Sequence, residues 1–239
     1  MRSWARGATI LTLVFAFTLL FGPSAQATTG YHHTGAQTTQ QFEGADAQIE
    51  VTDPSLPGNP CTSTTDFFAA RIMLKQGAWM EAGWAEVGWL TPGLCSHARS
   101  IYVFDTLHGV WEFFLEYTLT TGSTLRVRVY SDASCDGNAP CIYRSQIYWG
   151  GQWVTLHAAS INLNSNAYVE EMGEVYTAGG THFQIASGGD ADVDWYNTRL
   201  LKSDRTWHLW QNAPTLIGDN IPYYTSWLIN YYRFQNYRG

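Results

Sequence analysis

The sequence predicts an all-β protein, a sandwich or a barrel, on three observations. Apolar and polar residues alternate along short runs, the period of a half-buried strand. Turn-forming residues interrupt those runs roughly every eight to twelve positions, as in sandwich and barrel proteins. A helical period is almost nowhere visible. With 239 residues, 45% of them hydrophobic and 14% charged, the chain can bury the core of one sizeable domain.

Taken in order, residues 1–27 read as an export signal. Arg2 and Arg6 give a positive start, residues 8–22 an apolar stretch, and Ala25, Gln26 and Ala27 a small-residue cleavage site. The apolar stretch is short for a membrane span, so the expected product is a secreted, extracellular protein with no stable membrane association. Residues 28–41 (TTGYHHTGAQTTQQ) are polar and poor in aliphatics and are expected to form a flexible leader. The His32 and His33 pair there is too isolated to indicate a metal site. A single domain is expected over 42–239.

The first strand is expected within 42–51, where Ala47, Ile49 and Val51 alternate with Gln48 and Glu50. A Pro- and Gly-rich loop, 53–61, follows. Strands are expected at 67–75, 79–90, 100–106 and 110–119, then at 125–130, where Leu125, Val127 and Val129 alternate with Arg126 and Arg128. Residues 143–149 and 152–157 flank Gly150 and Gly151 and predict a hairpin. Further strands are expected at 168–176, 182–186 and 192–201. Residues 209–239, aromatic but poor in aliphatics, are expected to be less regular and to cover one end of the sheet.

Composition narrows the partners. Removing Arg2 and Arg6 with the signal leaves 11 basic residues against 20 acidic ones, a net charge of −9. That argues against a nucleic-acid partner, which needs clustered basic charge, and fits a soluble extracellular protein that works in acid, where protonation relieves self-repulsion; a monomer is expected. Four cysteines in an exported chain indicate two disulfides, with three connectivities open. Cys135 and Cys141 bracket the turn-rich segment DGNAP, which favours pairing them, and Cys61 with Cys95. Their spacing does not suit zinc. Asp190, Asp192 and Asp194 begin like a calcium loop, but Trp195 and Leu201 stand where such a loop needs Gly and Glu. No G-x-S-x-G elbow supports a serine nucleophile. No metal or organic cofactor is implied.

Two stretches carry the chemistry. In residues 79–90 (WMEAGWAEVGWL), Glu81 shares a face with Trp79, Gly83, Ala85, Val87 and Trp89. A carboxylate on so apolar a face must be hydrogen-bonded, paired or protonated, and Gly83 beside it lets another backbone approach. In residues 168–176 (YVEEMGEVY), Glu170 and Glu174 share a face with Tyr168, Met172 and Tyr176, and Glu171 points the other way. Two facing carboxyls can share a proton, one as base and one as acid. Alternation alone leaves open whether Glu81 and Glu174 face a cleft or solvent. Glu112 and Glu116 lie opposite Trp111 and Phe113, on a face expected to be wet.

These stretches carry a resemblance. MEAGWAEV (80–87) resembles the EAGW-x-V segment of the neprosin family of glutamic peptidases, and VEEMGEV (169–175) resembles that family's IEWGGEV segment. FEGADAQIEVTDPSL (42–56) is similar to its opening strand, GQWVTL (151–156) to a Trp-rich strand, and 195–201 to its closing strand, so the likeness covers most of 42–201. Glu171 and Met172 stand where that family has Trp and Gly. The resemblance implies an antiparallel concanavalin-like β-sandwich of jelly-roll type with Glu81 and Glu174 as catalytic residues. The eqolisin peptidases are similar in plan, with Gln in place of Glu81.

The function expected is that of an acid-active glutamic endopeptidase hydrolysing polypeptides through activated water. Glu174 is the expected base. Glu81, kept protonated, polarises the carbonyl and then protonates the amine; sequence leaves the two roles interchangeable. Trp79, Gly83, Glu170 and Tyr176 are the expected substrate-binding positions. A glycan- or peptide-binding sandwich and a two-carboxylate glycosidase are the alternatives.

Overall fold

A computed structural model describes residues 30–54, 67–87, 98–135, 140–163, 167–177, 193–218, 225–230 and 233–237. Among them there is no helix, and two antiparallel sheets form a β-sandwich. The strands are β1 (Gly30–Gln37), β2 (Gly44–Glu50), β3 (Phe67–Gln76), β4 (Ala78–Val87), β5 (Ala98–Asp105), β6 (Val110–Phe114), β7 (Thr124–Ser131), β8 (Cys141–Trp149), β9 (Gln152–Ile161), β10 (Tyr168–Thr177), β11 (Val193–Leu201), β12 (Trp207–Leu209), β13 (Thr215–Gly218), β14 (Thr225–Asn230) and β15 (Arg233–Tyr237). The first sheet runs β13-β1-β10-β3-β4-β5-β6. The second runs β14-β15-β11-β2-β7-β8-β9, with β12 pairing β11.

The core lies between the sheets. Phe68, Ile72, Leu74, Trp84 and Ile101 enter it from the first, and Ile49, Val127, Tyr143, Ile147 and Trp195 from the second. Each large apolar side chain buried there contributes roughly 1.5–3 kcal/mol before the entropy of ordering is set against it. Strand β7 shows the expected alternation, with Leu125, Val127 and Val129 buried and the arginines between them partly exposed. Strands β3 and β4 do not: most of their residues are buried on both faces. One face packs into the core and the other lines a cleft, so neither needs to be polar. The β8–β9 hairpin turns on Gly150 and Gly151, at φ 59 and 86, the left-handed pair a two-residue turn requires.

Three expectations are corrected. Residues 30–37 are not a flexible leader but a strand, hydrogen-bonded to β10 on one side and β13 on the other. Backbone bonding and close contact replace aliphatic bulk there: a side chain on Gly35 would meet the Glu171 carbonyl oxygen at 2.2 Å. The described residues after 209 add strands to the sheets instead of covering one end. Strand β13 extends the first sheet and β15 the second, because backbone pairing with β1 and β11 needs few aliphatic side chains. The strand expected over 110–119 ends at Phe114, before the exposed Leu115. Cys135 and Cys141 form a disulfide. Cys61 and Cys95, the signal, residues 88–90 and the strand expected at 182–186 lie outside the described residues.

Candidate active site

The register of four adjacent strands builds the site. Ala69 of β3 lies between Glu174 of β10 and Ala85 of β4. One step along the same face, Arg71 lies between Met172 and Gly83, with Tyr102 of β5 beyond. One step further, Met73 lies between Glu170 and Glu81, and Phe104 follows. Glu81 and Glu174 therefore stand on the same face, diagonally across β3, with Arg71 between them.

The guanidinium of Arg71 meets both carboxylates. Its Nη2 donates to Glu174 Oε2 at 2.5 Å and lies 3.0 Å from Met172 Sδ. Its Nε lies 3.0 Å from Glu81 Oε2, but that contact is an ion pair only: the Nε–H has no aligned acceptor. The Tyr102 hydroxyl donates to Glu81 Oε1 at 3.1 Å. From the core side, Trp195 Nε1 donates to the Arg71 carbonyl at 3.1 Å and pins the backbone beneath the guanidinium. Arg71 and Glu81 are each 6% exposed.

Burial pushes the Glu81 carboxyl up to about 7; Arg71 pulls it down, Glu174 pushes it further up, and hydrogen bonds from Tyr102 and Trp79 pull down. Glu81 thus holds a proton through the acid range and releases it near neutrality. Burial opposes the charge on Arg71, but Glu81 and Glu174 outweigh it and raise its pKa well above the usual value.

A cleft of about 460 Å³ opens over these groups, and its other lining residues are mostly aromatic: Phe67, Trp79, Tyr102, Phe104 and Trp111. The Trp111 ring reaches to 6.0 Å from that of Phe67, although β6 and β3 are separated by two strands. The first sheet curls to bring its edge over the cleft.

Of the expected substrate-binding positions, Trp79 lines the cleft. Tyr176 stacks on Phe67 at 6.2 Å. Glu170, six residues away on the same strand, is buried, accepting from Gln37 Nε2 at 2.7 Å with Lys75 Nζ at 3.7 Å. Gly83 does not open space for a ligand: an added Cβ would lie 2.0 Å from the Ala70 carbonyl oxygen, so the backbone that approaches it is β3. His33 pairs in register with Glu174, while His32 is on the opposite face of β1. Asp190 and Asp192 lie outside the described residues, and no metal-binding group of three or more His, Cys, Asp or Glu occurs among those described.

Sequence reasoning missed Arg71 and Tyr102. Arg71 carries a signal: it is the lone charge in the apolar run FFAARIML. Tyr102, in SIYVF, does not stand out from a core aromatic.

The fold and site define an antiparallel sandwich with a carboxylate-bearing cleft on one sheet. Solved structures similar to it are glutamic peptidases of the eqolisin group. Scytalido-glutamic peptidase with a transition-state analogue inhibitor superposes with a TM-score of 0.58 at 14% identity, over 89% of this chain and 100% of that one. The same peptidase with a peptide-based analogue gives 0.55 at 13%, with the same coverage. SCP-B, an eqolisin in complex with the tripeptide Ala-Ile-His, gives 0.52 at 13%, again over 89% and 100%. At these identities the likeness is one of fold. No family model and no curated protein sequence matches the chain.

Proposed function

We propose that this protein is a secreted glutamic endopeptidase, related to the neprosin family, that hydrolyses polypeptides in acid. The observation that carries the reading is the pair of glutamates from β4 and β10, on one face and bridged by one guanidinium at the floor of an aromatic cleft. Glu174, the more exposed of the two, is the base that takes a proton from water. Glu81, protonated below about 7, delivers its proton to the leaving amine. The mostly aromatic lining suits extended peptide with apolar side chains. The two short motifs and the expected export signal agree with this reading.

The test is digestion of casein by the purified protein at acid pH, beside a polysaccharide panel. Peptide release without sugar release is the expected result. Sugar release alone would move the carboxyls to glycoside chemistry, and release of neither would leave a binding protein.

A further inference from the structure

Resting on the peptidase reading, we infer that Arg71 is a third catalytic residue: it polarises the scissile carbonyl and takes the oxyanion, leaving Glu81 proton transfer alone. Arg71 lines the cleft, is almost wholly buried, and carries a donor, Nε–H, with no aligned acceptor. A buried unmet donor is costly, and with Glu81 Oε2 misaligned at 3.0 Å, a small turn of the guanidinium on binding offers this donor to a substrate oxygen. The other end of the guanidinium is held by Glu174 and Met172, and its backbone by Trp195. The donor is thus held within a small turn of its working position before substrate arrives, the condition under which electrostatic stabilisation needs little reorganisation.

Charge bookkeeping favours the same role. At rest Arg71 faces the Glu174 carboxylate. In the first step water gives a proton to Glu174, its oxygen bonds the carbonyl carbon, and the carbonyl π pair moves onto oxygen. Glu174 becomes neutral as the oxyanion becomes charged, so Arg71 exchanges one anionic partner for another. In the second step the oxyanion pair re-forms the carbonyl, the C–N bond breaks, and the nitrogen takes the Glu81 proton. A proton passing from Glu174 to Glu81 resets the site. Arg71 gains its oxyanion partner only in the transition state, which is where an interaction raises kcat.

The test compares wild type with Arg71→Met and Arg71→Lys on a peptide substrate across pH. Arg71→Met should lower kcat by about 10²–10³-fold with little change in KM. The alkaline limb should also move upward, since the cation no longer holds Glu81 down. Arg71→Lys should restore part of the rate, as a point charge without the planar fork. A role in packing alone predicts loss of yield or Tm, with normal kcat and an unmoved limb in the folded fraction; that result overturns the inference. If Arg71→Met fails to fold, Arg71→Lys decides through two inhibitors. A tetrahedral phosphinate peptide should weaken at least tenfold while its planar amide analogue holds, and equal weakening overturns the inference. Failure of the peptidase reading looks different: wild type itself would be inactive on every peptide substrate.

Discussion

The two faces of the first sheet each bury a carboxyl, and they treat it differently. On the cleft face, Glu81 has Arg71 and Tyr102 as partners and is pushed up to about 7. On the core face, one residue from Met172, Glu171 is 2% exposed and accepts a hydrogen bond from the Thr198 hydroxyl. Burial pushes Glu171 up to about 8, eased by that hydrogen bond. A bulge in β11 supplies the hydroxyl: Asn197, at φ 53, breaks the register between Tyr196 and Arg199, and Thr198 is left buried. Burial with a cation gives a carboxyl that is protonated in acid and releases its proton near neutrality. Burial without one gives a neutral acid that acts as a structural hydrogen-bonding group.

The sharpest way to break this comparison is to neutralise one glutamate of β10 at a time. Glu174→Gln should lower peptidase activity by about 10³-fold or more, because an amide cannot take a proton from water. Glu171→Gln should stay within a few-fold of wild type. Equal losses in initial rates at acid pH would show that the two faces are not functionally distinct.

Next in size is Glu81→Gln. With Glu81 at about 7, its protonated form is lost as pH rises through neutrality, so wild-type kcat/KM should fall there. The variant should lose about 10²-fold in rate and, with no titrating group at 81, lose that alkaline decline. A pH profile that keeps its limb near 7 in Glu81→Gln would assign the limb to another group.

The last effect expected is on stability. Glu171 and Glu86 have folded values of about 8 and about 7, raised chiefly by burial, so each binds its proton more tightly folded than unfolded. That contribution is complete below the ordinary glutamate range and is lost as pH rises towards 7–8. For Glu171 it is on the order of 5 kcal/mol. Asp105 has the opposite sign. Burial works against its charge, but hydrogen bonds from His157 and His108 outweigh it and lower its pKa. Its stabilisation is present above the ordinary aspartate range and lost as pH falls through its folded value. Tm should therefore be highest in mild acid, and Glu171→Gln should flatten the decline towards pH 8. A Tm that rises steadily from pH 5 to 8 would contradict these signs.

Much of the site was legible because strand period alone decides which residues share a face. Glu81 with Trp79, and Glu174 with Glu170, followed from alternation, and Glu171 was correctly turned away. The position of Arg71 was not legible, since it depends on which strands are neighbours: β3 separates β4 from β10 through pairings that no local pattern encodes. Gly83 was misread for the same reason, because the approaching backbone belongs to β3. Strand β1 was hidden by composition, as Thr34, Gly35 and Ala36 are held by backbone bonds and close packing.

Strand β1 also constrains the order of assembly. Its two neighbours are β10 and β13, so this strand, the first of the described ones in chain order, must wait for Tyr168–Thr177 and Thr215–Gly218. Joining such distant segments carries a loop-closure cost that slows folding. The ladder beside Glu174 should consequently close late, and in pulse-labelled hydrogen exchange during refolding the β1 amides should gain protection after those of the β8–β9 hairpin.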